Sequence, residues 1–185
     1  MEKELYKALT HLKKGHVLLC PTDTIWGLSC DATNTEAVER IYKIKKRNKS
    51  KSLIVLVSSK EMLSNYIDLL PPELDDILSK FNKALTIIYP KAIKLAENVY
   101  AQNSSVAIRI VEKGFVHQLI SQFGKAIVST SANYSNQTTA TKYCEINNDL
   151  IKEVDYAVNE KFGNSSSKSS TIIELIENGY RTLRN

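Results

Sequence analysis

Cysteine is scarce in this chain: Cys20, Cys30 and Cys144 are the only three in 185 residues, and none forms a CxxC pair. An odd, unpaired set excludes a disulfide framework and a zinc knuckle, and makes a reducing, cytoplasmic setting the expectation. Glycine and proline are nearly as thin, with six and four residues. Neither GxxxxGK[ST] nor GxGxxG occurs, so a nucleotide would have to be held by something other than the common glycine-rich phosphate turns. No GxSxG elbow presents a serine nucleophile. His11, His16 and His117 lie scattered among lysines or on a helix face and read as surface or packing side chains. No apolar run approaches the ~18 residues of a membrane span. The opening MEKELYKALTHLKKG is charged from its second residue, unlike a signal peptide.

What is present suits one α/β domain. Apolar residues make up 43%, and 25 Lys+Arg against 20 Asp+Glu leave a net charge of +5. Leu5, Ala8, Leu9 and Leu12 form one helical stripe that Gly15 is placed to end, and Val17 to Cys20 reads as a buried strand stopped by Pro21. Asn34 or Thr35 caps a helix carrying Ala37, Val38, Ile41, Tyr42 and Ile44. Leu53 to Val57 is apolar throughout, as a strand covered on both faces would be. Further along, the pattern predicts a helix from Pro71-Pro72 through Phe81, strands at Leu85 to Tyr89 and Ser105 to Val111, and a helix over Phe115 to Phe123. It then predicts strands at Ala126 to Ser129 and Tyr156 to Val158, and a hairpin of Thr171 to Ile176 and Tyr180 to Leu183 around Asn178-Gly179. Gly163 to Ser170, GNSSSKSS, is the one low-complexity segment, a mobile loop that could serve as a lid.

Four features carry chemistry. Pro21-Thr22-Asp23-Thr24-Ile25-Trp26-Gly27-Leu28 puts two hydroxyls, a carboxylate and an indole in a turn after a buried strand, where α/β sheets hold ligands; the same residues also suit a tight turn with self-satisfied amides. Lys43 to Lys51 packs six cations into nine positions with no acid, which calls for an anionic partner or a solvated face. Within it Lys43, Lys46 and Arg47 share a helical face, and Lys45 is directed elsewhere, toward a cleft. Ser129-Thr130-Ser131-Ala132-Asn133-Tyr134-Ser135 follows the strand ending at Val128 and offers uncharged donors to phosphate, or a helix cap. Arg109 interrupts the apolar alternation of Val106, Ala107, Ile108 and Ile110, where burial demands a carboxylate or phosphate from the protein or a ligand.

Taken in order, PTDTIWGL, KIKKR ending 23 residues after Thr24, LIVLV, VAIR, STSAN and SSTIIEL with a late arginine resemble the YrdC/TsaC-like family of threonylcarbamoyl-AMP synthases. The match runs from about residue 5 to residue 184. The resemblance implies a single domain over 1–185: a twisted mixed parallel/antiparallel sheet with flanking helices and a concave basic cleft. It also implies synthesis of L-threonylcarbamoyl-adenylate and pyrophosphate from L-threonine, bicarbonate and ATP, with Mg²⁺ accompanying the nucleotide and no structural metal, for the threonylcarbamoyl-adenosine modification of tRNA. By position it assigns Lys45, Arg47, Ser131 and Asn133 to the phosphates and the chemistry. Lys51, Ser105, Thr139 and Arg184 are further ATP contacts. Thr24, Arg109, Ser129 and Ser170 fall to L-threonine. The implied partners are the tRNA threonylcarbamoyl-transferring machinery and tRNA or other RNA, with no membrane.

The chain departs from the family pattern in places. Trp26 replaces a tyrosine, Lys51 a frequent asparagine, Asn82-Lys83-Ala84 a Pro-Gly-Pro before Thr86, and Leu56 a threonine-side histidine of longer members; with Arg184 so late, the expectation is the short form without their extra C-terminal domain. The alternative is an RNA-binding ribosome or tRNA maturation factor of the same fold, akin to YciO, without synthase activity.

Overall fold

The computed structural model describes residues 1–49, 52–163, 168–177 and 179–185. Helix α1 (Glu2–Lys13) buries Leu5, Ala8 and Leu12, the stripe its periodicity foretells. Strands β1 (Leu18–Pro21) and β2 (Trp26–Asp31) follow, then α2 (Thr35–Lys45), β3 (Ile54–Val57), and the short helices α3 (Lys60–Leu63) and α4 (Leu74–Ser79). Next come β4 (Leu85–Tyr89), β5 (Val106–Ile110), α5 (Phe115–Phe123), β6 (Ile127–Ser131), α6 (Asn148–Glu153), β7 (Tyr156–Ala157), β8 (Thr171–Ile176) and β9 (Gly179–Arg184).

All nine strands join one sheet in the order β7-β1-β2-β6-β3-β5-β4-β8-β9. The sheet is mixed: β1/β7, β3/β5 and β4/β8 run parallel, and the remaining neighbours antiparallel. Side chains alternate between its faces. Ser129, Ile54, Ala107 and Ile88 stand opposite one another across β6, β3, β5 and β4, and so share one face. Their neighbours Val128, Val55, Ile108 and Ile87 share the other and are at most 2% exposed. Helix α5 packs on α1, β1 and β3, and α2 packs on β2.

Local chemistry sets the element ends. Asn34 caps α2 by accepting from the Ala37 amide, and Gly124 at φ +73° closes α5 in the left-handed region that glycine enters without a Cβ clash. Several boundaries differ from expectation. Pro21 ends β1 from inside the strand, paired with Trp26, because the ladder needs no further donor there. The stretch read as one turn from Pro21 to Leu28 is a four-residue connection, Thr22 to Ile25, after which β2 begins. Helix α4 starts at Leu74, past the two prolines, and stops at Ser79. β6 runs on to Ser131, so Ser129 lies within the strand and not after it. Asn178, half of the hairpin signal, lies outside the described residues, although β8 and β9 pair as expected up to Ile176 and Gly179.

One buried tie fastens the start of β6. The Ala126 amide donates to the hydroxyl of Tyr66, which is 6% exposed, at 2.9 Å. Tyr66→Phe keeps the ring and strands that amide, so chemical denaturation is expected to show a loss of about 1 to 3 kcal/mol. An unchanged midpoint would mean that the amide has another acceptor.

Candidate active site

The face of the sheet that carries Ser129, Ile54, Ala107 and Ile88 walls a cavity of about 420 Å³. Seven strands contribute to it: Gly27, Ser129 to Ser131, Ile54, Ala107 and Arg109, Ile88, Ile172 and Arg184. Gly27 is needed there, since a Cβ would fall 2.6 Å from Ser129 Oγ and 3.0 Å from the Thr130 carbonyl oxygen. Trp26 opens β2 on the same wall, and connections add Thr22, Thr24, Ile25, Arg47, Ser52, Leu53, Thr139, Ser169 and Ser170. Among the described residues the lining holds three guanidiniums, Arg47, Arg109 and Arg184, and no carboxylate.

Arg109 is 4% exposed. Its Nη2 donates to Asp23 Oδ1 at 3.0 Å and lies 3.4 Å from Thr24 Oγ1, whereas its buried Nε has no acceptor among the described residues. Burial and the charge of Arg184 act against the Arg109 cation, and Asp23 supports it. Asp23 is held in place by the turn around it: Thr22 Oγ1 accepts from the amides of Thr24 and Ile25 and donates to the Ile25 carbonyl. The polar turn thus satisfies itself, as the tight-turn reading expects, and also presents a counter-charge to Arg109.

The basic segment does not act as one patch. Helix α2 ends at Lys45, with Lys46 left-handed at φ 49°, so Arg47 leaves the helix and no common face joins Lys43, Lys46 and Arg47. Arg47 lines the cavity and donates to the Ser52 carbonyl at 3.0 Å. Lys46 lies over the Tyr134 ring, and Lys49 pairs with Glu39. Lys45 is 1% exposed; its Nζ donates to the carbonyls of Ser131 and Asn133 at 2.5 and 2.7 Å, and its own carbonyl accepts from the Ser135 amide. Burial, aided by Arg47, pushes its pKa down to about 7.

Of the residues singled out in the sequence, Thr24, Arg47, Arg109, Ser129, Ser131, Thr139, Ser170 and Arg184 meet on this one cavity. Lys45, Ser105 and Asn133 are not on its wall. Ser105 bonds Asn103, and Asn133 donates to the carbonyls of Tyr134 and Gln137 while its Oδ1 stays buried without a donor. Lys51, and residues 164–167 of the serine-rich loop, lie outside the described residues. Sequence reading did not select Ser52, Ile54, Ala107 and Ile172; the two-residue spacing of Ala107 from Arg109 is the signal that could have found one of them.

Ser170 and Arg184 are joined: Nε and Nη2 of Arg184 donate to the Ser170 carbonyl at 3.1 and 2.9 Å. His11 and His16 contact each other by Nδ1, and His117 Nδ1 contacts the Val111 carbonyl; none lines the cavity. No described group of three or more His, Cys, Asp or Glu side chains could hold a metal ion. With no carboxylate on the cavity wall, the donor set does not fit a resident divalent cation.

Comparison with known proteins places the chain in a family. The Sua5/YciO/YrdC family model, described as "Telomere recombination", matches residues 10–185. A threonylcarbamoyl-AMP synthase of Pseudoalteromonas translucida is 34% identical over 166 residues, covering 88% of this chain and 89% of the relative. Another from Vibrio cholerae is 29% identical over 184 residues, 96% of this chain and 98% of the relative. Among solved structures, P. abyssi Sua5 complexed with L-threonine superposes with a TM-score of 0.89 at 25% identity, over 100% of this chain and 54% of that one, so this chain spans about half of it. E. coli YciO shares the fold, with a TM-score of 0.85 at 21% identity over 100% of this chain and 90% of that one. By the extent of these matches the chain belongs to the Sua5/YciO/YrdC family.

Proposed function

We propose that the protein is an L-threonylcarbamoyladenylate synthase, making threonylcarbamoyl-AMP and pyrophosphate from L-threonine, bicarbonate and ATP. The observation that carries this reading is Arg109, a buried guanidinium whose Nε is unused among the described residues, in a cavity whose described lining holds two further guanidiniums and no carboxylate. Such a site is short of negative charge, and both a carboxylate and a triphosphate supply it. The relatives named threonylcarbamoyl-AMP synthase and the threonine complex of Sua5 support the same assignment.

In the reaction, the threonine amine combines with bicarbonate-derived CO₂ as a carbamate. A carbamate oxygen then attacks the α-phosphorus of ATP, and the bond to the leaving pyrophosphate breaks. Charge builds on nucleophile and leaving group together, so positioning and cationic donors do the work and no covalent enzyme nucleophile is required. In this reading Arg109 takes the threonine carboxylate, with Thr24, Ser129 and Ser170 around it. Arg47, Ser131, Thr139 and Arg184 face the nucleotide; Lys51 and Ser105 are assigned to it by the family resemblance alone. Lys45 serves by pinning the Ser131 to Asn133 turn that presents the hydroxyls, rather than by touching phosphate. The residues give a protein-held Mg²⁺ no seat, and no step is assigned to one.

The RNA-binding reading is not favoured, because a phosphate-backbone surface has no use for a charge buried in the sheet. The product is a reactive mixed anhydride that a tRNA threonylcarbamoyl-transferring enzyme would consume. Among the described residues no helix is long and apolar enough to cross a membrane, and these substrates suit a cytoplasmic enzyme.

Wild-type protein is expected to release pyrophosphate from ATP only when L-threonine and bicarbonate are both present. Arg109→Gln is expected to lower kcat/KM for threonine about a hundredfold, the loss of a charged bond to the carboxylate. Release that ignores threonine would contradict the assignment.

Lys45 yields a pH test. Its folded pKa of about 7 lies below the 10.5 of a free lysine. Below pH 7 the ammonium is protonated in both states and burial penalises the fold fully. Between 7 and 10.5 the unfolded chain binds more protons, so stability rises with pH, by at most about 1.4 kcal/mol per unit. Denaturation midpoints of wild type from pH 7 to 9 are expected to climb relative to Lys45→Met; parallel curves would refute a depressed Lys45.

A further inference from the structure

Thr86 is an oddity in its strand. It interrupts the apolar run Leu85, Ile87, Ile88 and Tyr89 of β4 and is 0% exposed. A hydroxyl buried that deeply costs stability unless it is hydrogen-bonded. The bond that Thr86 makes is to Ser170 Oγ, at 2.8 Å and 84 residues away in sequence. Ser170 is 2% exposed and lines the cavity. The register places Thr86 opposite Ile172, which also lines the cavity, and two residues from Ile88, another wall residue. Thr86 therefore points to the site face from directly behind Ser170.

The direction of that bond follows from what each group can do. Arg184 Nη2 can only donate, and it lies 3.3 Å from Ser170 Oγ, so it takes one of the serine's lone pairs. If Ser170 donated to Thr86, the threonine's own proton would be left buried with no acceptor among the described contacts. If Thr86 donates, its proton is satisfied. Ser170 then accepts from both Thr86 and Arg184, and its own proton remains for the cavity. Burial selects the second arrangement.

We infer that Thr86 is a positioning residue of the threonine subsite, whose hydroxyl donates to Ser170 and so turns the Ser170 O–H toward an oxygen of the bound amino acid. This rests on the reading above that Ser170 faces L-threonine. Thr86 touches no substrate; it fixes the polarity of a relay, Thr86 to Ser170 to ligand, with Arg184 bracing the same serine through its carbonyl at 2.9 Å. A valine would fill the same space in the apolar strand but could not orient the serine.

The test is calorimetric titration of L-threonine into wild type, Thr86→Val, Thr86→Ser, Ser170→Ala and the Thr86→Val/Ser170→Ala double variant, with KM for ATP and melting temperature measured alongside. Thr86→Val is expected to weaken threonine about tenfold, the worth of one well-placed hydrogen bond, and to leave KM for ATP and the melting temperature near wild type. Thr86→Ser keeps the hydroxyl and is expected to stay within about twofold. The double variant is expected to be no weaker than Ser170→Ala, since both changes remove one relay. Additive losses, equal losses for threonine and ATP with a lowered melting temperature, or unchanged threonine affinity in Thr86→Val would overturn the inference while leaving the functional proposal intact. If wild type itself binds no L-threonine, both fall.

Discussion

A guanidinium placed inside a β-sheet has to be answered by negative charge, and the rest of this site is arranged around that demand. Arg109 is answered in part by Asp23, which the Thr22 turn presents at 3.0 Å. Asp23 engages one nitrogen and leaves the buried Nε without an acceptor among the described residues, while Arg184 adds a second positive charge to the same environment. Left empty, such a place costs stability; a bound carboxylate or phosphate offsets the cost. On the proposed function, the ligands would stabilise the cavity, which is how the fold could keep unpaired donors ready for them.

The sheet does most of the positioning. Seven strands send residues onto one face, so groups far apart in sequence, such as Gly27, Arg109 and Arg184, are fixed by a single hydrogen-bonded ladder. Helix α2 adds its C-terminal turn, fastened through Lys45 to the chain leaving β6. Held this way, hydroxyls and guanidiniums need little reorganisation when charge develops at a reacting phosphorus.

Much of this could be read before the fold was seen, and the reasons it could or could not are physical. Arg109 was legible because a charge within an apolar alternation has few innocent explanations. Its partner Asp23 was not assigned to it, since 86 residues separate them and strand order decides the meeting. β2 was hidden because WGLSCD has no β-branched residue and opens straight out of a polar turn. Lys45 was expected to look into a cleft and instead faces main-chain carbonyls, because its direction depends on where α2 stops and where the β6 exit passes. The ordered motifs named the family correctly, but they could not tell a residue on the cavity wall from one off it, as Lys45, Asn133 and Ser105 illustrate.

The most direct measurement is a crystal structure of the protein with L-threonine and a non-hydrolysable ATP analogue. The account requires the threonine carboxylate within hydrogen-bonding distance of the Arg109 guanidinium, engaging the Nε that now lacks an acceptor, and the triphosphate against Arg47 and Arg184. Threonine bound elsewhere, or Arg109 left with Asp23 alone while both ligands are seated, would contradict it.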